Sequence, residues 1–478
     1  MLPTILLFLL PVVCGGLLAH VLWPDPRQVN LMFKAFLGIG IGLGAWSLSF
    51  FVYLLAFAGE NWFIILEGAA LVVLVVIALI QNKRLDPRPP SSRTALHLTP
   101  PQILLAAVGG LVLVISLLST ANYLLRRRQG DWDAWMMYNR AARFVYLDQA
   151  HWRESFSPAM DPLFHADYPL LLAMNITSAW DSLGVDTPRV PMLQSALFAV
   201  GCLGLIASAS ASVRTTGQAA LGIVLLWGVP VFVNEGAREM ADVPLAFFVA
   251  ATGILLYMFV REQKPGLAAL SGITAGLAAW TKNEGGVVVL GASVVLLMVC
   301  IPRRRWQPLL WYGAGLIVPL AIVLYFKLFM APPGDILSRG LGDSLQQALT
   351  PSRHMLILQY FWQEIVGFGN WGIAPLSIGI LPLLLIYYLV FRARIAADQR
   401  PALLAACTIV VVQTLGYYVA YLITPYDLAW HLSFSTTRIV VQIFPLAVFL
   451  ILAATRSVES VLGPNAEPIH GVKHASGN

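Results

Sequence analysis

An all-helical protein embedded in a membrane is the fold class this sequence predicts, and three observations carry the prediction. Of its 478 residues 58% are apolar and only 11% charged, whereas charged residues make up about a quarter of an ordinary soluble domain. Apolar runs of the roughly 20 residues needed to cross a hydrocarbon core about 30 Å thick recur from end to end. The stretches between them are too short to hold a soluble catalytic domain, which excludes the nucleic-acid-binding and soluble-enzyme classes together.

Taken in order, the runs predict about thirteen spans, near residues 2–23, 33–57, 61–81, 102–125, 190–212, 217–234, 242–260, 266–281, 285–301, 307–331, 372–391, 402–423 and 439–455. The first has no basic segment ahead of it and no small-residue cleavage site, so it reads as a retained span. Residues 1–101 form an N-terminal three-helix segment with a basic cytoplasmic loop, 102–455 the main transmembrane unit, and 456–478 a cytoplasmic tail. The four cysteines, Cys14, Cys202, Cys300 and Cys407, all fall inside apolar runs, where thiols behave as small hydrophobes and suggest neither a disulfide framework nor a metal site.

Charge gives the orientation. The connections containing Lys83, Arg84 and Arg88, Arg261 and Lys264, Arg303, Arg304 and Arg305, and Arg392 and Arg394 alternate onto one face, which the positive-inside rule assigns to the cytoplasm. That face holds 17 Lys/Arg against 6 Asp/Glu; the other holds 12 against 17, with Lys327 and Glu67 left inside spans. On the second, extracytoplasmic face the charges gather at 126–167, 234–242, 281–284, 331–370 and 424–438, so a site built from several loops on a rigid scaffold is expected there.

The longest of these clusters lies in a large loop, 126–189, opening "RRRQGDWDAW" with Arg126, Arg127, Arg128, Asp131, Trp132, Asp133 and Trp135. Aromatic and apolar residues then recur at helical spacing over 132–146 and again over 170–180, predicting two interfacial helices. Between them stands "HADYPLLL" with His165, Asp167 and Tyr168. Further on, "REMADVPL" sets Arg238, Glu239 and Asp242 at the mouth of a span, and "TKNEG" puts Lys282, Asn283 and Glu284 into a turn that needs only Gly or Asn. Burying ionisable groups there costs several kcal/mol unless they are paired or functional. His431 and Arg438 come just ahead of the last span, and a guanidinium fork suits a lipid phosphate. The plain alternative makes the aromatics an interfacial belt, the carboxylates solvated loop charges and Arg438 a snorkelling side chain.

In this order the motifs resemble the GT-C superfamily of membrane glycosyltransferases, in particular bacterial relatives of the protein O-mannosyltransferases and of the lipid A aminoarabinose transferase. The resemblance covers about residues 102–455, with "GDWDAW" and "HADYPLLL" in the places of the first-loop Asp motif and of the motif leading into the second interfacial helix. Where many members carry Asp-Glu, this chain reads Asp133-Ala134, and "HADYP" lacks the adjacent prolines. The resemblance implies transfer of a sugar from a polyprenyl-phosphate donor to a glycan, lipid or protein acceptor at the outer surface of a bacterial inner membrane. Asp133 is then the general base, with Asp131 the second candidate and Asp167 a supporting carboxylate. The other named cations, aromatics and polar groups would bind substrate, with Arg438 and Lys282 on the donor phosphate.

No cofactor is required by this reading. His165, Asp167, Glu284 and His431 lack metal-motif spacing, although a divalent ion between phosphate and carboxylates is compatible with them. A transporter or flippase is the alternative class, but ionisable groups near the midplane are few and no inverted repeat is evident. A non-catalytic membrane subunit would need no carboxylates and cations gathered at one surface. "NIT" at Asn175 matches a glycosylation sequon too short to be informative.

Overall fold

The computed structural model describes residues 2–25, 27–60, 62–82, 100–160, 164–334, 341–369, 379–392 and 395–462; among them there are helices and no strands. Helix α1 (Leu2–Leu22) pairs closely with α2 (Gln28–Phe57), and α3 (Phe63–Asn82) rests on α1. Small residues permit that close approach, as they do between membrane helices generally: a Cβ added to Gly42 would lie 1.9 Å from the Pro11 carbonyl oxygen. After α4 (Pro100–Arg126) the first loop folds into a short π-helical turn (Ala134–Tyr138) continuous with α5 (Asn139–Leu147), a 3-10 segment (Gln149–Phe156) and α6 (Leu171–Leu183).

Six helices follow: α7 (Arg189–Val213), α8 (Thr216–Trp227), α9 (Pro230–Ala237), α10 (Asp242–Glu262), α11 (Pro265–Thr281) and α12 (Gly285–Cys300). Then come α13 (Trp306–Phe329), α14 (Leu341–Ala348), α15 (Pro351–Gly367), α16 (Ile380–Phe391), α17 (Arg400–Leu422), α18 (Leu428–Ala454) and α19 (Val458–Leu462). The axis of the bundle is α10, buried along almost its whole length by α7, α11, α12, α17 and α18. Outer helices such as α3, α4 and α13 present Val72, Leu104, Leu111 and Leu310 to the surroundings, as helices facing hydrocarbon must.

The thirteen expected spans are not all found as such. Nine described helices are long and apolar enough to cross a membrane, or ten if α8 and α9 make one span. Those two are bent by 73° at a break before Pro230, which cannot donate the backbone bond that would continue α8 and holds Val229 extended. Helices α11 and α12, with 17 and 16 residues, fall short of the roughly 20 residues that cross a hydrocarbon core. Of the expected span 372–391 only α16 and Gly379 are described, and the basic loop with Lys83, Arg84 and Arg88 lies outside the described residues, as does most of the expected tail.

Two boundaries change the picture of the site. Helix α18 begins at Leu428, not near 439, because Asp427 accepts from the Trp430 amide at 2.8 Å and caps it. Its hydroxyl residues bond back to carbonyls one turn earlier, Ser435 to His431 and Thr436 to Leu432, so a polar run continues as helix. Arg438 is therefore inside this helix. The second loop helix, α6, is not a belt with one exposed face: Leu171 to Trp180 are all buried, against α2, α5 and α7. Asn175 is buried with them, so its sequon is closed to modification.

Side-chain contacts sort the charges to the two ends of the bundle. At one end Arg27 pairs with Asp25 and Glu262, Lys264 with Asp25, and Arg214 reaches Gln399. At the other end the first loop meets the 235–242 and 281–284 turns, and Lys327 reaches down from α13.

Candidate active site

Four parts of the chain meet at that second end through one buried charge. Asp242, at the first turn of α10, is fully buried and accepts from Arg438 Nε at 2.9 Å, Lys282 Nζ at 3.0 Å and Gln442 Nε2 at 2.5 Å. Lys282, in the turn after α11, is itself buried and pairs also with Glu284 at 3.1 Å. Arg438 extends from Asp242 to the first loop, where its Nη2 donates to Asp133 Oδ2 at 2.6 Å. Gln442 stands one helical turn after Arg438 and is held by the Tyr417 hydroxyl at 2.5 Å.

Burial explains why the charges come as a set. An unpaired ion out of water is costly, and the cost is offset only when each charge has partners of opposite sign in good geometry. Asp242 between two cations, and Arg438 between two carboxylates, meet that condition. For Lys282, burial works against the charge, but Asp242 and Glu284 outweigh it and hold the ammonium above its ordinary value.

The two candidate bases differ in setting. The helix at the head of the first loop begins at Trp132, and Asp131, not Asp133, is at its start: Asp131 Oδ1 accepts from the Trp132 amide at 2.9 Å and its carbonyl from Trp135. The place of Asp133 near the head of this helix predicts that backbone N–H groups would orient its carboxylate, but it makes no capping bond and Arg438 orients it instead. Asp131 is further claimed by Arg238 at 2.8 Å and Arg127 at 3.3 Å. Burial pushes its carboxyl up, but Arg238, the Trp132 amide and Arg127 bring it below the usual range. Asp133 keeps one carboxylate oxygen outside any hydrogen bond among the described residues and is about 20% exposed. The π-turn that follows, a deformation frequent at functional sites, sets Asp133 and Tyr138 on this side.

Asp167 is buried, and its Oδ2 accepts from Asn283 at 3.1 Å and pairs with Lys327 at 3.5 Å. The Tyr168 hydroxyl lies in electrostatic range of Glu284, Asp167 and Asp133; burial first, and these carboxylates next, push it well above its ordinary value. His165, with φ of 45°, sets its ring 4.8 Å from that of Tyr168. His431 bonds Thr424 at 2.8 Å and packs on Tyr421, within electrostatic range of Glu284, Lys282 and Arg438.

The remaining candidates stand around this core. Arg238 also pairs with Glu235, and Glu239 accepts from Asn139 at 3.4 Å, so both brace the first loop. Burial raises the Glu239 carboxyl to about 8, with Asn139 opposing. Trp132 and Trp135 are exposed and meet edge to face at 4.8 Å, while Arg126 and Arg128 are exposed at the end of α4. Gln442, Tyr417, Lys327 and Tyr138 were absent from the expected site. Only Lys327 carried a sequence signal, as a charge inside a span; the others are neutral residues in helical runs.

A metal ion does not fit these residues. No three His, Cys, Asp or Glu side chains converge among the described residues, and Asp133, Asp242 and Asp167 already face guanidinium, ammonium or amide donors where a cation would sit.

Comparison with known families meets this geometry in its middle. Residues 172–326 match the dolichyl-phosphate-mannose-protein mannosyltransferase family. The resemblance expected from the order of the motifs is thus found over α6 to α13, which supply Asp242, Lys282, Asn283 and Glu284. The matching region and the helical membrane architecture support a membrane glycosyltransferase of the GT-C type. Asp133, Asp167, Tyr168, Lys327 and Arg438 lie outside the matched residues. No curated protein and no solved structure matches the chain.

Proposed function

We propose that the protein transfers a sugar from a polyprenyl-phosphate donor to an acceptor hydroxyl or amine at the extracytoplasmic face of the membrane, with Asp133 as the base. The observation that carries this reading is the Arg438 bridge, which ties a half-open first-loop carboxylate to the buried Asp242–Lys282 pair of the matched region. The acceptor attacks the anomeric carbon as its bond to the phosphate oxygen breaks. Its proton passes to the open oxygen of Asp133, and the polyprenyl phosphate leaves with the bonding electrons.

Arg438 serves two ends in this scheme. It orients the Asp133 carboxylate, and with Lys282 it supplies positive charge where the phosphate gains negative charge. Tyr168 stands within electrostatic range of both Asp133 and Asp167, while Trp132 and Trp135 offer exposed faces for a sugar ring. Both oxygens of Asp131 are already taken, by two arginines and the Trp132 amide, whereas Asp133 keeps one open among the described residues.

The test is transfer of a radiolabelled sugar from polyprenyl phosphate by purified protein in lipid or detergent. Release of free polyprenyl phosphate with label moved to an acceptor supports the reading. Translocation of the intact lipid-linked sugar without cleavage would make the protein a flippase. Full turnover by Asp133→Asn with loss in Asp131→Asn would move the base by two residues.

A further inference from the structure

Beside the Asp133 cluster is a small cleft between the first-loop helix and the 164–170 segment. Its polar lining is Tyr138, Arg140, His165 and Tyr168, and no carboxylate lines it among the described residues. Phe156 and Phe164 supply apolar walls.

Two of those groups are incompletely bonded. The Tyr138 side chain is 3% exposed and its hydroxyl has no hydrogen-bond partner among the described residues; Arg140 Nη1 is likewise buried and without a partner among them. Arg140 donates its Nε to the Met136 carbonyl at 3.0 Å and its Nη2 weakly to that of Phe164 at 3.5 Å. Its guanidinium lies over the Phe164 ring at 4.2 Å. The neighbouring cations differ: Arg127, Arg143, Arg238, Lys282, Lys327 and Arg438 each have a carboxylate within salt-bridge distance. Burial pulls Arg140 down to about 10, with no carboxylate among the described residues to counter it. A buried hydroxyl and a buried guanidinium N–H left unmade are each costly, and a ligand in the cleft they line that supplies oxygen acceptors recovers the cost.

We infer that this cleft is an oxyanion subsite, in which Arg140 and Tyr138 bind a phosphate or carboxylate group of a substrate. The inference deepens the transferase reading and rests on it for the word substrate. A guanidinium matches both ligand geometries, and the aromatic walls exclude water from the charged bonds. The oxyanion has two sources, the phosphate of the donor or an acidic group on the acceptor. The second would make this a transferase for an anionic acceptor.

The experiment measures binding of inorganic phosphate and of farnesyl phosphate to the purified full chain by calorimetry, in wild type, Arg140→Gln and Tyr138→Phe. Arg140→Gln should weaken phosphate binding about tenfold or more, since a bond to a charged group is lost. Tyr138→Phe should weaken it about three- to tenfold while the melting temperature holds, because that hydroxyl bonds nothing among the described residues. If both probes weaken, the oxyanion is the donor's phosphate; if only inorganic phosphate does, it belongs to the acceptor. Wild-type binding unchanged in both variants, or no binding by the wild type, overturns the subsite. Binding is read without transfer, so a protein that binds anions through Arg140 but moves no sugar would sink the transferase reading and leave the subsite standing.

Discussion

Arg438 divides its guanidinium between carboxylates of unlike exposure, Asp242 fully buried and Asp133 about one-fifth exposed, and the two should fail differently when neutralised. Asp242→Asn leaves Arg438 and Lys282 short of a buried counter-charge, a loss of about 3 kcal/mol or more by analogy with broken buried pairs. A lowered melting temperature in detergent is the expected result. Asp133→Asn keeps the shape and leaves Arg438 on Asp242, so stability should change little while turnover falls about 100-fold or more and donor binding persists. A stable Asp242→Asn beside an unfolded Asp133→Asn would reverse these roles. Glu239 gives a pH dependence whose sign follows from burial. Its carboxyl stands at about 8 in the fold against an ordinary 4.5, so between those values the folded chain holds a proton that the unfolded chain has lost. Its contribution is fully present below about 4.5 and is lost as pH rises through about 8. Glu239→Gln, which imitates the protonated form, should therefore show a smaller fall in melting temperature from pH 5 to pH 8.5 than the wild type. An equal fall in both would assign the dependence to other groups.

At the scale of elements, the apolar runs were legible because hydrocarbon allows little besides helices, so that length and composition alone locate them. What composition does not encode is where backbone bonding breaks or continues. Pro230 splits one apolar run into two bent helices, and hydroxyl back-bonding carries α18 through a polar run read as loop. The aromatic spacing of 170–180 fits a membrane surface and a packed interior equally well, and Trp180 proved to be interior. In the site, Asp133, Asp242, Lys282 and Arg438 were legible as charges in apolar company. Tyr138, Arg140 and Gln442 were not, since their meaning arises only from which neighbours they meet or lack. Close helix contact was likewise hidden. Gly42 faces the Pro11 carbonyl so tightly that Gly42→Val must push α1 from α2, a strain of about 1–3 kcal/mol or more. Reduced stability with α1 more open to proteolysis is expected, and an unaffected variant would show that the pair opens freely.

For the whole molecule, contacts and charge bookkeeping agree on two ends, one joining residues 25–27, 214, 262–264 and 399, the other joining 131–139, 167, 235–242, 282–284 and 438. The first end is the one whose connections are rich in Lys and Arg, and the positive-inside rule places such connections in the cytoplasm. On that rule the second end is predicted to face outward, where the proposed lipid-linked donor would have to be presented. The prediction is tested by single cysteines in a background with Cys14, Cys202, Cys300 and Cys407 replaced. Ala150→Cys lies exposed in the first loop and Ala397→Cys exposed beside Arg400 at the opposite end. A membrane-impermeant maleimide added to intact cells should modify position 150 and spare 397, which should react only after the membrane is opened. The reverse pattern would turn the cluster around Asp133 toward the cytoplasm. A donor presented outside would then have no route to the base, and the sugar-transfer scheme would have to be rebuilt on a cytoplasmic donor.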